Sequence, residues 1–198
     1  VEDTGAQVHF CRIASQRAVG LLESAKARKL PVTADVAAHH LFLTEADLEG
    51  FNVDCHVIPP LRSEADRLAL RDGVASGTID AVCSDHQPHE TDAKVNPFPL
   101  TEPGISGLET LLPLVFTLVA EGVLSPLAAV ERLTLAPARI LGIEGGTLAL
   151  QAPADWVLVD PAQQWRLRRR DLQSAGRNTP FEGWPLMGRA VEVGRAKR

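Results

Sequence analysis

The sequence predicts an α/β fold that contains about half of a (β/α)8 barrel, followed by a small β-rich region. Short apolar, β-branched runs alternate with segments of helical periodicity, which is typical of a parallel sheet covered by helices. This alternation stops near residue 142, where short segments separated by Gly and Pro begin. A complete barrel of this type takes about 250 residues. The 198 residues of this chain therefore supply about half of one.

The first part of the chain contains three predicted strands and four predicted helices. The strands are residues 8–11, residues 31–36 and the nearly continuous apolar run 79–84, which suits a strand buried on both faces. Ser63 is a predicted helix cap, and Gly77 ends that helix. The helices are predicted over residues 15–29, 63–76, 107–121 and 126–135.

Two regions are expected. Residues 1–142 form a partial (β/α) barrel that carries active-site loops, and residues 143–198 form a small β-rich C-terminal region. Strands within the second region are predicted at residues 146–148, 154–160 and 184–193. The chain begins with Val1 and ends without a recognisable closing element, so we expect it to be part of a larger protein.

Composition narrows the class of protein. The formal net charge of −5 argues against a nucleic-acid binder, whose footprint would be basic. No apolar run approaches the roughly 20 residues that a membrane span needs. The three cysteines lack the spacing of a disulfide framework, which favours a reducing compartment. A cytoplasmic protein without nucleic-acid or membrane partners is therefore expected.

The densest group of polar side chains is residues 84–90, directly after the buried strand 79–84. Catalytic groups of parallel barrels lie at the C-terminal ends of strands. The carboxylate of Asp85 at such a position can bind a divalent cation and can also move a proton. From these residues alone, an aspartate in a turn beside surface histidines is an equally good interpretation.

Longer motifs give this segment a context. Residues 33–41, 59–62, 85–94, 104–114 and 179–183 together resemble dihydroorotases, in the order of that family and along essentially the whole chain. Allantoinases and hydantoinases share parts of the pattern. The Pro-Pro-Leu-Arg segment 59–62 and the Gly-Leu-Glu-Thr segment 107–110 favour dihydroorotase. The resemblance implies the C-terminal half of a TIM-type metal-dependent hydrolase barrel.

The resemblance also implies an activity and a site. Dihydroorotases interconvert N-carbamoyl-aspartate and dihydroorotate in pyrimidine biosynthesis, usually with one or two zinc ions. By this resemblance Asp85 is a metal ligand and the general acid/base, and His89 contacts a carboxylate or carbonyl of the substrate. The backbone of Pro103 and Gly104 would hydrogen-bond the substrate ring. His40 either lines the site or is a hydrogen-bonded core histidine, and His39 shares this ambiguity.

Two residues depart from the family pattern. The family has a ligand histidine three residues after the position of His9, where this chain has Arg12, which cannot donate a lone pair to a cation. Arg12 is expected to line the site, where it would repel a metal or pair with a carboxylate. Ile58 replaces an asparagine that binds the substrate carboxylate in many relatives. The family's His-x-His metal pair and bridging lysine or aspartate are not in this chain.

These departures leave several hypotheses open. The first is a dihydroorotase of which this chain is half, inactive when isolated. The second is a noncatalytic dihydroorotase-like subunit that stabilises aspartate transcarbamoylase. A weaker third is an amidohydrolase for another ring, such as a hydantoin, because Ile58 relaxes the need for a substrate carboxylate. Half a barrel would expose strand edges, so homo-oligomers are expected too.

Overall fold

The computed structural model describes residues 1–195, and three parallel strands form the centre of their first part. The strands are β1 (Val8–Phe10), β2 (Val32–Ala37) and β3 (Ala81–Cys83), in the spatial order β1-β2-β3. β1 pairs in parallel with the start of β2, and β3 pairs with its end. The three predicted strands are therefore confirmed, and so is the α/β fold class.

Helices cover this sheet. They are α1 (Gln16–Ala27), α2 (Glu64–Ser76), α3 (Leu108–Ala120), α4 (Pro126–Leu133) and α5 (Leu135–Leu141). The predicted caps are present: Ser63 forms a capping box with Asp66 at the start of α2, and Gly77 ends it with a left-handed φ of 86°. No helix within residues 1–195 is both long and apolar enough to cross a membrane.

The predicted helix 126–135 is confirmed as α4, which ends at Leu133, whereas α5 was not predicted. Thr134 separates α4 from α5 with a non-helical backbone, at φ −129° and ψ −78°. Its hydroxyl donates a hydrogen bond to the carbonyl of Val130, 2.7 Å away. A threonine side chain that bonds back to the preceding turn competes with the regular helix pattern.

The core lies between the sheet and the helices. Removing these apolar side chains from water is the main stabilising term of such a layer. The largest fully buried apolar residues of this layer are Val36, Leu41, Leu70, Val74, Ile79, Leu114 and Leu118.

Two long antiparallel strands follow the helices. β4 (Trp156–Arg166) pairs with β5 (Pro185–Gly194), and β5 packs against α3. The predicted strand at residues 146–148 was wrong: Gly145 and Gly146 both have positive φ, 149° and 69°, which an extended strand does not accommodate. The division at residue 142 stays a prediction. Residues 196–198 of the predicted β-rich region lie outside the described residues.

Candidate functional site

Polar side chains follow each of the three parallel strands. Arg12 lies just beyond β1, His40 beyond β2 and Asp85 beyond β3. Because the strands are parallel, these positions share one edge of the sheet. Nη1 of Arg12 lies 2.9 Å from Oδ1 of Asp85, so the structure joins the first and the third strand ends directly.

Asp85 is held in an unusual position. Its φ of 42° is left-handed, a conformation that costs a non-glycine residue about 1 kcal/mol or more. The side chain is 8% exposed, and Oδ1 accepts hydrogen bonds from Arg12 and from Nε2 of Gln87, both at 2.9 Å. Within residues 1–195, Oδ2 receives no hydrogen bond. One carboxylate oxygen thus stays available at the strand end.

Arg12 is fixed from both sides. Its backbone N–H donates to Oδ1 of Asp35 on β2, 2.8 Å away, and its own φ is 55°. The hydrogen bond to Asp85, reinforced by the charge of that carboxylate, raises the pKa of Arg12. The guanidinium is therefore a permanent cation in direct contact with the carboxylate of Asp85. Pairing with a carboxylate, one of the two expectations for Arg12, is what the structure shows.

The loop that follows Asp85 packs closely against two glycines. A Cβ atom on Gly104, whose φ is 143°, would lie 2.5 Å from Cβ of Gln87, and one on Gly176 would lie 2.5 Å from the backbone nitrogen of His89. Side chains at these glycine positions would displace the loop. The glycine of the family motif thus serves a close approach of backbone segments.

Asn178 is a site residue that the sequence interpretation missed. It is 5% exposed, and its Oδ1 accepts the backbone N–H of His89 at 2.8 Å. Its Nδ2 donates to the carbonyls of Gln87 (3.0 Å) and Gly104 (2.9 Å). The available signal was its position directly before the family-like segment 179–183.

The predicted substrate contacts are occupied by protein groups. Nε2 of His89 lies 3.1 Å from the carbonyl oxygen of Pro103. The N–H of Gly104 donates to the carbonyl of His56 at 2.7 Å, and its carbonyl accepts from Lys94 at 3.1 Å. The structure brings His89, Pro103 and Gly104 together, while their role towards a substrate stays a prediction.

His39 and His40 are core residues, each 2% exposed. Nε2 of His40 lies 3.1 Å from the carbonyl oxygen of Pro59. Burial lowers the pKa of both rings, most strongly that of His39. Among the described residues, Nε2 of His39 and Nδ1 of His40 have no hydrogen-bond partner. This environment is that of neutral, buried histidines, and a role of His40 in lining the site stays a prediction.

Parallel strands with polar groups at their C-terminal edge are the arrangement found at the active-site end of (β/α) barrel enzymes. The chain belongs to the amidohydrolase family, whose sequence profile matches residues 7–188.

Relatives and solved structures agree with this assignment. The chain is 49% identical over 189 residues to the dihydroorotase-like protein of Pseudomonas aeruginosa, covering 96% of this chain and 44% of that protein. It is 43% identical to the dihydroorotase of Syntrophotalea carbinolica, with 96% and 45% covered. An L-hydantoinase from Arthrobacter aurescens superposes with a TM-score of 0.90 at 26% identity, covering 98% of this chain and 44% of that structure. The chain thus spans less than half the length of these relatives, as expected for part of a barrel.

Members of the amidohydrolase family generally bind metal ions. The residues at this edge fit a metal ion only in part. Oδ2 of Asp85 is a suitable hard oxygen ligand. Arg12, however, places a positive charge 2.9 Å from the other carboxylate oxygen, at the position where the sequence comparison expects a ligand histidine. At this edge of the sheet, Oδ2 of Asp85 can bind a metal ion, and the guanidinium of Arg12 on Oδ1 competes with that ion for the carboxylate.

Proposed function

We propose that this chain is part of a dihydroorotase, which hydrolyses the cyclic amide of dihydroorotate to N-carbamoyl-aspartate and catalyses the reverse cyclisation in pyrimidine biosynthesis. The observation that carries the proposal is Asp85, whose carboxylate is almost buried at the end of β3 and keeps Oδ2 free of hydrogen bonds within residues 1–195. The relatives that bear the name dihydroorotase support it.

Asp85 is the general acid/base of this proposal. Oδ2 accepts a proton from the water that attacks the amide carbon, and the same proton then passes to the ring nitrogen as the carbon–nitrogen bond breaks. Arg12 and Gln87 hold the other oxygen, so the carboxylate cannot rotate away from the substrate. Positioned proton transfer of this kind contributes about 10²- to 10⁴-fold to the rate.

His89, Pro103 and Gly104 are the proposed substrate-binding residues. Gln87 and Asn178 fix the loop on which His89 lies, so its imidazole is preorganised next to Pro103. We propose zinc as the metal of the complete protein, one or two ions, with Asp85 as the ligand from this chain. When bound, zinc supplies positive charge that stabilises the amide oxygen as it becomes negative.

We assign this reaction to the cytoplasm and expect a homo-oligomer. The three cysteines, Cys11, Cys55 and Cys83, are all free thiols, which supports a reducing compartment. The expectation of a homo-oligomer rests on how common such assemblies are among soluble proteins.

A specific observation favours a second candidate, a noncatalytic subunit that stabilises aspartate transcarbamoylase. The guanidinium of Arg12, at 2.9 Å from Asp85, supplies the counter-charge that a metal ion would otherwise provide. A carboxylate paired in this way is stable without a metal ion. The Pseudomonas aeruginosa relative bears the name dihydroorotase-like protein rather than dihydroorotase.

The first test uses the full-length protein and its Asp85→Asn variant. Asparagine keeps the shape of the side chain but cannot take the proton, so dihydroorotate turnover is expected to fall about 10²- to 10⁴-fold. Asp72→Asn, at an exposed position on α2, is the matched control and should keep the wild-type rate. Wild-type turnover in Asp85→Asn rules out the acid/base role.

The second test compares the wild-type protein with its Arg12→His variant. Histidine restores a nitrogen ligand and removes the competing charge, so we expect the metal content of the full-length protein to rise by up to one ion per chain. Metal content and turnover of dihydroorotate and of hydantoin are measured together. Turnover of dihydroorotate by the wild-type protein supports the dihydroorotase. A wild-type protein that has neither bound metal nor turnover supports the scaffold. Turnover of hydantoin alone supports the third hypothesis.

A further inference from the structure

We propose that His9, Cys11 and Asp35 form a second metal site, for a divalent transition-metal cation of the zinc type. The ligand atoms of the three residues all lie within 4.8 Å of one another. His9 belongs to β1, Cys11 follows it directly, and Asp35 lies on the neighbouring strand β2. Imidazole nitrogen, thiolate sulfur and carboxylate oxygen are the three donor types that zinc takes from proteins.

The residues around this triad already orient two of its ligands. Nδ1 of His9 lies 2.8 Å from the hydroxyl of Thr33, which leaves Nε2 for a cation. Oδ1 of Asp35 accepts the backbone N–H of Arg12 at 2.8 Å and the thiol of Cys83 at 3.2 Å, which leaves Oδ2. Such outer contacts fix the tautomer and the rotamer of metal ligands.

The remaining pair of atoms faces each other at the site. Nε2 of His9 and Oδ2 of Asp35 are 2.8 Å apart, a hydrogen-bond distance. Two ligands of a tetrahedral zinc ion are roughly 3.3 Å apart, as follows from metal–ligand bonds of about 2.0 Å. The two atoms therefore need to move apart by about half an ångström to bind a cation, which replaces the proton that they share.

The charges and protons of the site balance on metal binding. The Cys11 thiol releases its proton to solvent, and the imidazole proton moves from Nε2 to Nδ1, where the Thr33 hydroxyl accepts the hydrogen bond. Thiolate and carboxylate then neutralise the two charges of the cation. Because Cys11 is exposed, a water molecule can reach the fourth coordination position. An open cavity of about 560 Å³ is lined in part by His9 and Thr33.

The proposed site differs from the centre at Asp85 in its chemistry. It contains a thiol, which none of the residues assigned to the amidohydrolase reaction has. A bound cobalt ion reports this difference, because a thiolate ligand gives an intense sulfur-to-cobalt charge-transfer absorption that oxygen and nitrogen ligands do not give.

The test is a cobalt titration of the full-length protein after metal removal with a chelator. We expect a charge-transfer absorption that saturates at one ion per chain. Cys11→Ser should abolish it, whereas Cys55→Ser, which changes a buried cysteine outside the triad, should keep it. Asp85→Asn should keep it as well, so the result does not depend on the proposed reaction. A missing absorption in the wild type, or an unchanged one in Cys11→Ser, overturns the proposal.

Two further measurements do not require Cys11→Ser to fold. Thr33→Val removes the hydrogen-bond partner of His9 while keeping its shape, and should weaken cobalt binding about 10-fold or more. In the wild type, zinc should slow the alkylation of Cys11 by iodoacetamide, as located by peptide mass analysis. Equal cobalt affinity in Thr33→Val, or equal alkylation of Cys11 with and without zinc, contradicts the assignment.

Discussion

At the scale of single residues, His39 and His40 are neutral bases inside the core. Burial lowers the pKa of His39 well below its ordinary value, and the neighbouring His40 and Arg12 act in the same direction. Burial also lowers the pKa of His40, against the carbonyl groups of Pro59 and Pro60 and the charge of Asp85, which raise it. Both rings therefore bind protons more weakly in the folded protein than in the unfolded chain.

This difference predicts acid-sensitive stability. In the unfolded chain the histidines take up protons as the pH falls through about 6.5, whereas the folded protein resists until its lower pKa values are reached. The free energy of unfolding should therefore decrease as the pH falls below about 6.5, since the unfolded state then binds more protons. Urea unfolding at several pH values between about 8 and 5 measures the slope.

His39→Leu tests the source of that slope. Leucine is apolar and cannot be protonated, so the variant should lose less stability between about pH 7 and pH 5.5 than the wild type. The comparison uses the change with pH within each protein, which separates the titration from any packing difference. An identical slope in both proteins would exclude His39 as a contributor.

The sequence identified some residues of the site and left out others, for a physical reason. Asp85 was predicted because it follows a buried strand within a segment that resembles the family, and Arg12 because it departs from the family pattern. Asn178 was missed, because its contacts are with residues 74 to 91 positions away, at His89, Gln87 and Gly104. Long-range partners of this kind leave no local spacing pattern in a single sequence.

At the scale of elements, α2 shows why its boundaries could be predicted. The Ser63 hydroxyl accepts the backbone N–H of Asp66 and donates to Oδ2 of its carboxylate at 2.6 Å, and the carboxylate accepts the Ser63 backbone N–H in return. These bonds satisfy N–H groups that the first turn of a helix leaves free. The Ser63 hydroxyl is also the main reason why the pKa of Asp66 is lowered.

Ser63→Ala should therefore lower the free energy of unfolding by about 1 kcal/mol, because the cap is lost. The pKa of Asp66 should rise towards its ordinary value in the same variant. Ser24→Ala, at an exposed position within α1, is the control and should change stability by less than about 0.5 kcal/mol. Chemical denaturation of the three proteins provides the measurement, and an equal effect of both substitutions would contradict the capping argument.

The strand predicted at residues 146–148 is absent because the local backbone conformation overrides the composition of this segment. The segment 146–148 has a β-branched and an apolar residue, but the backbone of Gly145 and Gly146 turns it away from a strand. A Cβ on Gly146 would meet the backbone of Thr134 and Leu135 at 2.7 Å, so this segment packs where α4 ends. Periodicity does not reveal such a contact between two irregular segments.

At the scale of the whole molecule, the C-terminal segment holds the site loop in place. Gly176 and Asn178 lie between β4 and β5, far along the chain from Asp85, yet both contact the backbone of His89. The fold class and the three parallel strands followed from alternating patterns. The attachment of the late segment to the loop did not, because it depends on close backbone approach and on one buried amide.

Asn178→Ala should weaken this attachment. The substitution removes three hydrogen bonds of a buried amide. It leaves the N–H of His89 and the carbonyl of Gln87 without a partner, while the carbonyl of Gly104 keeps its hydrogen bond from Lys94. Each unsatisfied buried group costs about 1–3 kcal/mol, so the free energy of unfolding should fall by about 2 kcal/mol or more. In this variant, hydrogen exchange at the His89 amide should accelerate more than the average exchange of the core amides does. Asn96→Ala, at an exposed asparagine, is the control and should leave both measurements unchanged. If exchange at His89 stayed at the wild-type rate in Asn178→Ala, the loop would be held by its glycine contacts alone.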